Sequence, residues 1–327
     1  MKVVAIGGGT GLSVVLRGLK HYLSVGASPS RPAAKISRLT AVVTVTDEGG
    51  SSGRLRREFR ILPPGDIRNC MVALAEDEKL LTQLFNYRFS SGRGLRGHSF
   101  GNLFLAALTH LTSDFAKAVR VSSEVLAIRG EIFPSTLSDV RLKAEQSNGN
   151  MIYGESRITR TQLPIKRVYL VPDRCRPLPE TLAALKEADL IAIGPGSLYT
   201  SLTPNLLVRG IPEEIAHSKA RKVYICNLMT QPGESRGFSA ADHVRALHEH
   251  AGRKLFDFVI LNRQPVSSSL RKRYAADRSE PVLNDLDKVR ALGVTPVLAN
   301  LLVEDHVVRH DPPRLARLLL GLAAKQG

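Results

Sequence analysis

The segment that most constrains this chain is its start. Lys2-Val-Val-Ala-Ile6 is a short apolar run, Gly7-Gly-Gly-Thr-Gly11 follows at once, and Leu12, Val15, Leu16 and Leu19 then recur on the way to Leu23. A short apolar run bounded by glycines reads as a buried strand, and apolar residues at i, i+3, i+4 and i+7 read as a helix with one apolar face. Ser24 to Ser37 contains Gly, Ser and Pro and reads as a loop; Leu39 to Val45 is a second apolar run that ends at Thr46-Asp47. Strand, glycine turn, helix and strand make a βαβ unit, which implies a parallel sheet.

The middle of the chain is helix-rich: Asp66–Ala75, Lys79–Phe89, Ser99–Leu111 and Ser113–Ile128 carry helical apolar spacing. The polar-alternating runs Arg141–Gln146, Asn150–Tyr153 and Arg167–Val171 then read as short strands. From Leu182 the alternation returns, with strands expected at Leu190–Ile193, Lys222–Leu228, Phe256–Asn262 and Val294–Leu298. Helices are expected at Ile211–His217, Ala240–Ala251, Ser268–Ala276 and Leu315–Ala324. The expected fold is α/β: a doubly wound, mostly parallel, Rossmann-like sheet with a helical and short-stranded middle insertion. It is read as a single α/β domain over 1–327, the insertion occupying 54–180.

Of the 327 residues 43% are hydrophobic, but no apolar run reaches the length of about 18 residues that spans a bilayer, and Met1 leads directly into the first strand without a secretory pattern. Cys70, Cys175 and Cys226 are few, scattered and odd in number, which fits thiols in a reducing compartment and a cytoplasmic location. The net charge is +16, with 32 Arg against 14 Lys. Most of this charge is spread along the chain and reads as solvated surface. The densest group, Arg54, Arg56, Arg57, Arg60 and Arg68, adjoins the glycine-rich segments and fits a phosphate ligand. With 5% aromatics, no Trp and no basic stretch interleaved with aromatics, no specific nucleic-acid partner is expected.

In Gly7–Gly11 the absence of side chains lets the backbone turn sharply, and the following helix offers unpaired N–H groups and a positive dipole end to an anion. The pattern is neither GxGxxG, since Leu12 occupies the last position, nor a phosphate-binding loop ending in Lys-Ser/Thr; a tight structural turn is the other reading. Thr46-Asp-Glu-Gly-Gly-Ser-Ser-Gly53 follows the second strand and supplies backbone and hydroxyl donors, Ser51 and Ser52 among them, for a second phosphate or a sugar, or forms a surface loop. Asp47 can also hold a divalent cation such as magnesium, given further oxygen ligands; no other cofactor is indicated. Pro63-Pro-Gly-Asp-Ile-Arg-Asn69 puts Asp66 at a helix N-cap position, which by itself explains Asp66 but not Arg68 or Asn69. Gly97-His-Ser-Phe-Gly-Asn102 places Ser99 at a helix start, with His98 read as a satisfied histidine at the entrance or a ligand contact. Ala192–Ser201 repeats the pattern of strand, glycine turn (Gly194, Gly196) and hydroxyl residues (Ser197, Thr200, Ser201). Asn227–Glu234 follows another strand with Asn227, Thr230 and Gln231. Polar loops at the C-terminal ends of several parallel strands mark a ligand crevice without naming the ligand. Zinc spacing and a serine nucleophile elbow are both missing from the sequence.

These segments, GGGTGLS at 7–13, TDEGGSSGRLR at 46–56, PPGDIRN at 63–69, GHSFGN at 97–102, IGPGSLYTS at 193–201 and NLMTQPGE at 227–234, together resemble the YvcK-type gluconeogenesis factors of the CofD (2-phospho-lactate transferase) superfamily. The likeness runs from residue 1 to about residue 324. It implies binding of a UDP-sugar, chiefly UDP-N-acetylglucosamine, and a role in cell shape and envelope synthesis during gluconeogenic growth. Envelope-regulating protein partners and a homo-oligomer are expected besides. It adds Tyr274 and Arg309, in Arg273-Tyr-Ala-Ala and Val308-Arg-His-Asp311, as sugar-nucleotide contacts. The contact set is then Gly8, Gly9, Thr10, Gly11, Asp47, Ser51, Ser52, Asn69, His98, Asn102, Gly196, Ser197, Tyr199, Thr200, Asn227, Thr230, Tyr274 and Arg309. The transferase branch carries a second acidic residue beside the first in the strand-two motif. Here Glu48 holds that place, followed by GGSSG, a departure that weighs against transferase chemistry. The competing reading is nonetheless a transferase moving a phospho-lactate-type group from a nucleotide diphosphate donor, with Asp47 holding a metal. Against an NAD-dependent oxidoreductase stand GGGTG in place of GxGxxG and the GGSSG run after Asp47.

Overall fold

A computed structural model describes residues 1–24, 35–76 and 79–324; most of the expected loop Ser24–Ser37, residues 25–34, lies outside that set. The chain opens with β1 (Lys2–Gly7), α1 (Gly9–Leu19) and β2 (Arg38–Val43). Five helices follow: α2 (Gly50–Phe59), α3 (Gly65–Leu74), α4 (Lys79–Asn86), α5 (Phe100–Thr112) and α6 (Phe115–Val125). Then come β3 (Glu131–Pro134), β4 (Arg141–Gln146), β5 (Met151–Tyr153), the single turn α7 (Glu155–Ile158), β6 (Ile165–Val171) and α8 (Pro179–Lys186). The βα alternation resumes with β7 (Leu190–Ile193), α9 (Thr203–Leu206), α10 (Ile211–His217), β8 (Arg221–Ile225), α11 (Ala240–Ala251), β9 (Phe258–Asn262), α12 (Ser268–Ala276), α13 (Leu286–Ala291) and β10 (Thr295–Ala299). The hairpin β11 (Leu302–Glu304) and β12 (Val308–His310) precedes the last described helix, α14 (Pro312–Ala324).

Seven strands form one parallel sheet in the order β10-β9-β8-β7-β1-β2-β3. Val3 to Ile6, Leu39 to Val43 and Leu190 to Ile193 are buried without alternation, because helices cover both faces of a parallel sheet; this is why these strands read as continuous apolar runs. α1 buries Leu12, Val15, Leu16 and Leu19 against its neighbours α3 and α14. Strand order reverses between β1 and β7, where Ile6 pairs with Ile193. That reversal opens a crevice at the strands' C-terminal ends.

Two boundaries differ from the sequence reading. β3 lies within the span read as insertion but pairs with β2 (Ala41↔Ile132) and completes the central sheet; it is four residues long, at the sheet edge, and ends in Pro134, which an edge strand tolerates. α1 begins at Gly9, not at Leu12: the glycine turn is itself the first helical turn. The runs at 141–171 form a separate antiparallel sheet, β5-β4-β6, whose Leu142, Ala144, Val168 and Leu170 face the core.

Candidate functional site

Both glycine turns leave the same end of the sheet, β1 into Gly7–Gly11 and β7 into Gly194–Gly196, and they touch. A Cβ on Gly11 would lie 2.2 Å from the carbonyl oxygen of Pro195, a backbone contact that only glycine permits. Gly9 has φ +59°, the left-handed conformation that glycine adopts without strain. Gly8 is the N-cap of α1 and supplies no side-chain acceptor, so the helix presents N–H groups to whatever lies in front of it. The second turn is held by a reciprocal pair: Gly196 N–H donates to Asn227 Oδ1 (3.1 Å), and Asn227 Nδ2 donates to the Gly196 carbonyl (2.9 Å). Gln231 Nε2 reaches Ser197 Oγ at 2.8 Å.

Between the turns lies a cleft of about 510 Å³, within the size range of small-molecule sites. Of the expected contact residues it is lined by Gly8, Gly9, Thr10, Gly11, Gly196, Ser197, Asn227, Thr230, Tyr274 and Arg309, joined by Ser201 and Gln231 from the same strand-end loops, which the sequence also pointed to, and by Asp277, Ser279 and His310, which it did not. Its far wall is the β11–β12 hairpin. Tyr274 OH accepts a 3.0 Å hydrogen bond from Val308 N–H, and its ring packs on the small apolar cluster of Met229, Val266, Leu270 and Leu302. Tyr274 therefore anchors the strand that carries the exposed Arg309. Among the described residues Arg309 has no carboxylate in ion-pair reach. A second hollow of about 710 Å³ adjoins through Asn227 and Leu228.

The other eight expected residues lie elsewhere. Tyr199 and Thr200 are buried behind the second turn, where their N–H groups donate to Glu234 at 2.7 and 3.2 Å and Thr200 Oγ1 does so at 2.7 Å. They shape the turn and do not line the cleft. Burial pushes Glu234 up to about 7 despite these bonds. Asp47, Ser51, Ser52, Asn69, His98 and Asn102 sit on the side of the first turn away from Asn227. Asp47 Oδ1 accepts from Gly49 N–H (2.8 Å), Ser51 Oγ meets His98 Nδ1 (3.0 Å), Asn102 Nδ2 donates to Ser52 Oγ (3.4 Å) and Asn69 Oδ1 accepts from Arg68 (2.6 Å). Ser99 is the N-cap of α5 as expected, its Oγ accepting from Asn102 N–H.

Asp66 joins the two groups and corrects the sequence reading. Pro64, not Asp66, is the N-cap of α3. The Asp66 carboxylate is turned instead to the first glycine turn: its Oδ2 lies 2.7 Å from where a Gly8 Cβ would be, and it accepts from the Gly9 backbone. Burial first, and then the charge of Asp47, push it up to about 7. Burial and Asp47 raise Glu155 likewise. An internal carboxylate thus occupies part of the anion position at α1, and it loses its charge near neutral pH. Position in the helical pattern cannot distinguish this Asp66 from a cap. Among the described residues no group of three or more Asp, Glu, His or Cys side chains is placed to hold a metal.

The sequence matches the family profile of the 2-phospho-L-lactate transferase CofD over residues 3–302. It is 53% identical over 98% of its length to a putative gluconeogenesis factor of Nostoc sp., covering 68% of that protein. With the gluconeogenesis factor of Bacillus subtilis identity is 47%, covering 98% of each chain. The fold superposes on the crystal structure of a UPF0052-family protein from Bacillus halodurans with a TM-score of 0.91 at 47% identity, covering 97% of this chain and 98% of the other.

Proposed function

Because the chain belongs to the CofD family, alongside its gluconeogenesis factors, we propose that it is a regulatory protein that binds a UDP-sugar, UDP-N-acetylglucosamine, in the cleft between the glycine turns. The observation that carries this reading is the meeting of the α1 N-terminus, where Asp66 takes up only part of the anion position, a second glycine turn and an arginine with no carboxylate partner among the described residues around one cleft at the switch point. The N–H groups of α1 and the Arg309 guanidinium suit a pyrophosphate. Hydroxyl and amide groups of Ser197, Ser201, Thr230 and Gln231 suit ribose and sugar hydroxyls, and the adjoining hollow gives length for a nucleotide sugar. Ligand occupancy would report to envelope synthesis and cell shape during gluconeogenic growth, in the cytoplasm, through envelope-regulating protein partners and within a homo-oligomer. Isothermal titration with UDP-N-acetylglucosamine, UDP and NAD tests the reading: a saturable heat with the UDP-sugar and none with NAD supports it.

One observation favours the transferase alternative. Asp66, with its pKa near 7, stands beside the glycine turn with Asp47 and Glu155 close by, where a carboxyl group could exchange a proton with a reacting hydroxyl. Incubation with a guanosine-diphospho-lactate donor and a deazaflavin acceptor separates the two: product formation makes the chain an enzyme, and its absence with UDP-sugar binding intact leaves the regulator.

A further inference from the structure

Residues 87–99 form a hairpin-like loop whose tip the nucleotide cleft does not use. Arg88 and Ser99 pair as an antiparallel bridge. Phe89 N–H donates to the His98 carbonyl and Gly97 N–H to the Phe89 carbonyl, at 3.0 and 2.7 Å. Gly92, Gly94 and Gly97, all at positive φ, fold the tip. Arg54 of α2 steadies it through the Arg96 carbonyl (2.8 Å), and Arg88 through the Gly97 carbonyl (2.6 Å). Among the described residues no carboxylate lies within 4 Å of Arg54, Arg88, Arg93 or Arg96. The positive field is felt nearby: after burial itself, Arg54 helps hold His98 below the usual histidine range, and Arg88 does the same to Arg68. Leu95 stands 44% exposed between Arg93 and Arg96, with Tyr87 52% exposed at the base.

We propose that this hairpin is a peripheral docking surface for an anionic lipid membrane, with Leu95 entering the headgroup–acyl boundary and Arg54, Arg88, Arg93 and Arg96 taking the headgroup phosphates. A leucine held open to water between unpaired guanidinium groups is poorly placed in solution and well placed at that boundary, where apolar atoms sink and cationic heads stay at the phosphates. A soluble polyanion would need the arginines but not the leucine. The attachment is peripheral, since no described helix is long and apolar enough to cross a membrane. The overall charge of +16 adds long-range attraction to the same surface. The hairpin is tied to the first glycine turn's neighbourhood through His98–Ser51 and the Ser99 cap of α5, but its tip lines no part of the cleft.

The test is co-sedimentation of the full chain with phosphatidylcholine vesicles, with and without about one-third phosphatidylglycerol, at about 0.1 M salt. Binding is expected only to the anionic vesicles, weakening at about 0.5 M salt as the charges are screened. Arg93→Gln with Arg96→Gln should lower the partition coefficient roughly 30-fold, from about 1 kcal/mol per arginine. Leu95→Ser should lower it roughly tenfold. All three side chains are exposed, so melting temperature and UDP-sugar titration should match the parent protein, which separates this inference from the nucleotide reading. Equal binding to neutral vesicles, or variants that sediment like the parent, would overturn it. A double arginine variant that loses a single-stranded oligonucleotide, while Leu95→Ser leaves vesicle binding unchanged, would assign the surface to nucleic acid instead.

Discussion

Replacing Gly11 by alanine should separate the two glycine turns. The new Cβ would sit 2.2 Å from the Pro195 carbonyl oxygen, 2.8 Å from its carbon and 3.2 Å from Gly196 Cα. All three are backbone atoms with no rotamer to move, so the turns must part by about 1 Å to restore contact distance. Overpacking of this kind costs about 1–3 kcal/mol, and we expect that net loss even after the helix preference of alanine, about 1 kcal/mol over glycine, has offset part of the strain. For a chain of this length the melting temperature should fall by about 1.5–4.5 °C. Ligand affinity should fall further, because the N–H groups of α1 and the second turn would no longer converge; each charge-assisted bond lost costs about 1.5–3 kcal/mol, roughly tenfold to a hundredfold in Kd. Gly321→Ala is the control. It is in α14 with nothing within 4 Å of its Cβ, so it should stabilise by about 0.5–1 kcal/mol and leave binding alone. Differential scanning calorimetry and titration of both variants decide the matter; a Gly11→Ala protein with parental melting temperature and affinity would refute the shared-cleft geometry.

Arg309→Ala should weaken UDP-sugar binding roughly tenfold to a hundredfold with unchanged melting temperature, since the side chain is exposed and has no ion pair among the described residues; titration of the folded variant checks it. Tyr274→Phe keeps the ring in its apolar cluster but removes the acceptor for Val308 N–H, so about 0.5–1.5 kcal/mol of hairpin stability should go, with a smaller affinity loss than Arg309→Ala; hydrogen exchange at Val308 reads the first and titration the second. Asp66 has a folded pKa of about 7 against an ordinary 3.8, so the folded state holds more protons between those values. Its contribution to stability is present below about pH 4 and lost as pH rises through about 7. Asp66→Asn should therefore gain stability over the parent above pH 7, on the order of a few kcal/mol, and lose that advantage near pH 4; paired denaturant melts across this range test it. Protonation of Asp66 also removes the internal anion beside α1, so parental affinity for the UDP-sugar should rise as pH falls through 7, and the Asp66→Asn variant should lack that pH dependence.

The strands and helices around β1 and β7 were legible because both faces of a parallel sheet must be apolar and because α1 carries its apolar residues on one stripe. β3 was not, since four residues ending in Pro134 carry too little pattern at a sheet edge. β11 and β12, at three residues each, were shorter still, and Arg309 was placed by resemblance, not by periodicity. The two glycine turns could be read as neighbours from their positions after parallel strands, and their contact through Gly11 and Pro195 bears this out. The division of the contact residues could not be read. Tyr199 and Thr200 follow the second turn in sequence just as Ser197 does, yet the π-helical turn Leu198–Leu202 carries them inward onto Glu234. Asp66 was masked by its position two residues into a helix, where an acidic residue has a sufficient local explanation. Only the tertiary approach of α3 to the Gly8–Gly9 turn shows its second use.

The most direct measurement is a calorimetric titration of the wild-type chain with UDP-N-acetylglucosamine, repeated with Arg309→Ala and with NAD as competitor. A saturable heat of one ligand per chain, weakened by the Arg309 substitution and untouched by NAD, is the expected result. No heat at millimolar UDP-sugar, or a heat that Arg309→Ala leaves unchanged and NAD displaces, would contradict a UDP-sugar site between the glycine turns.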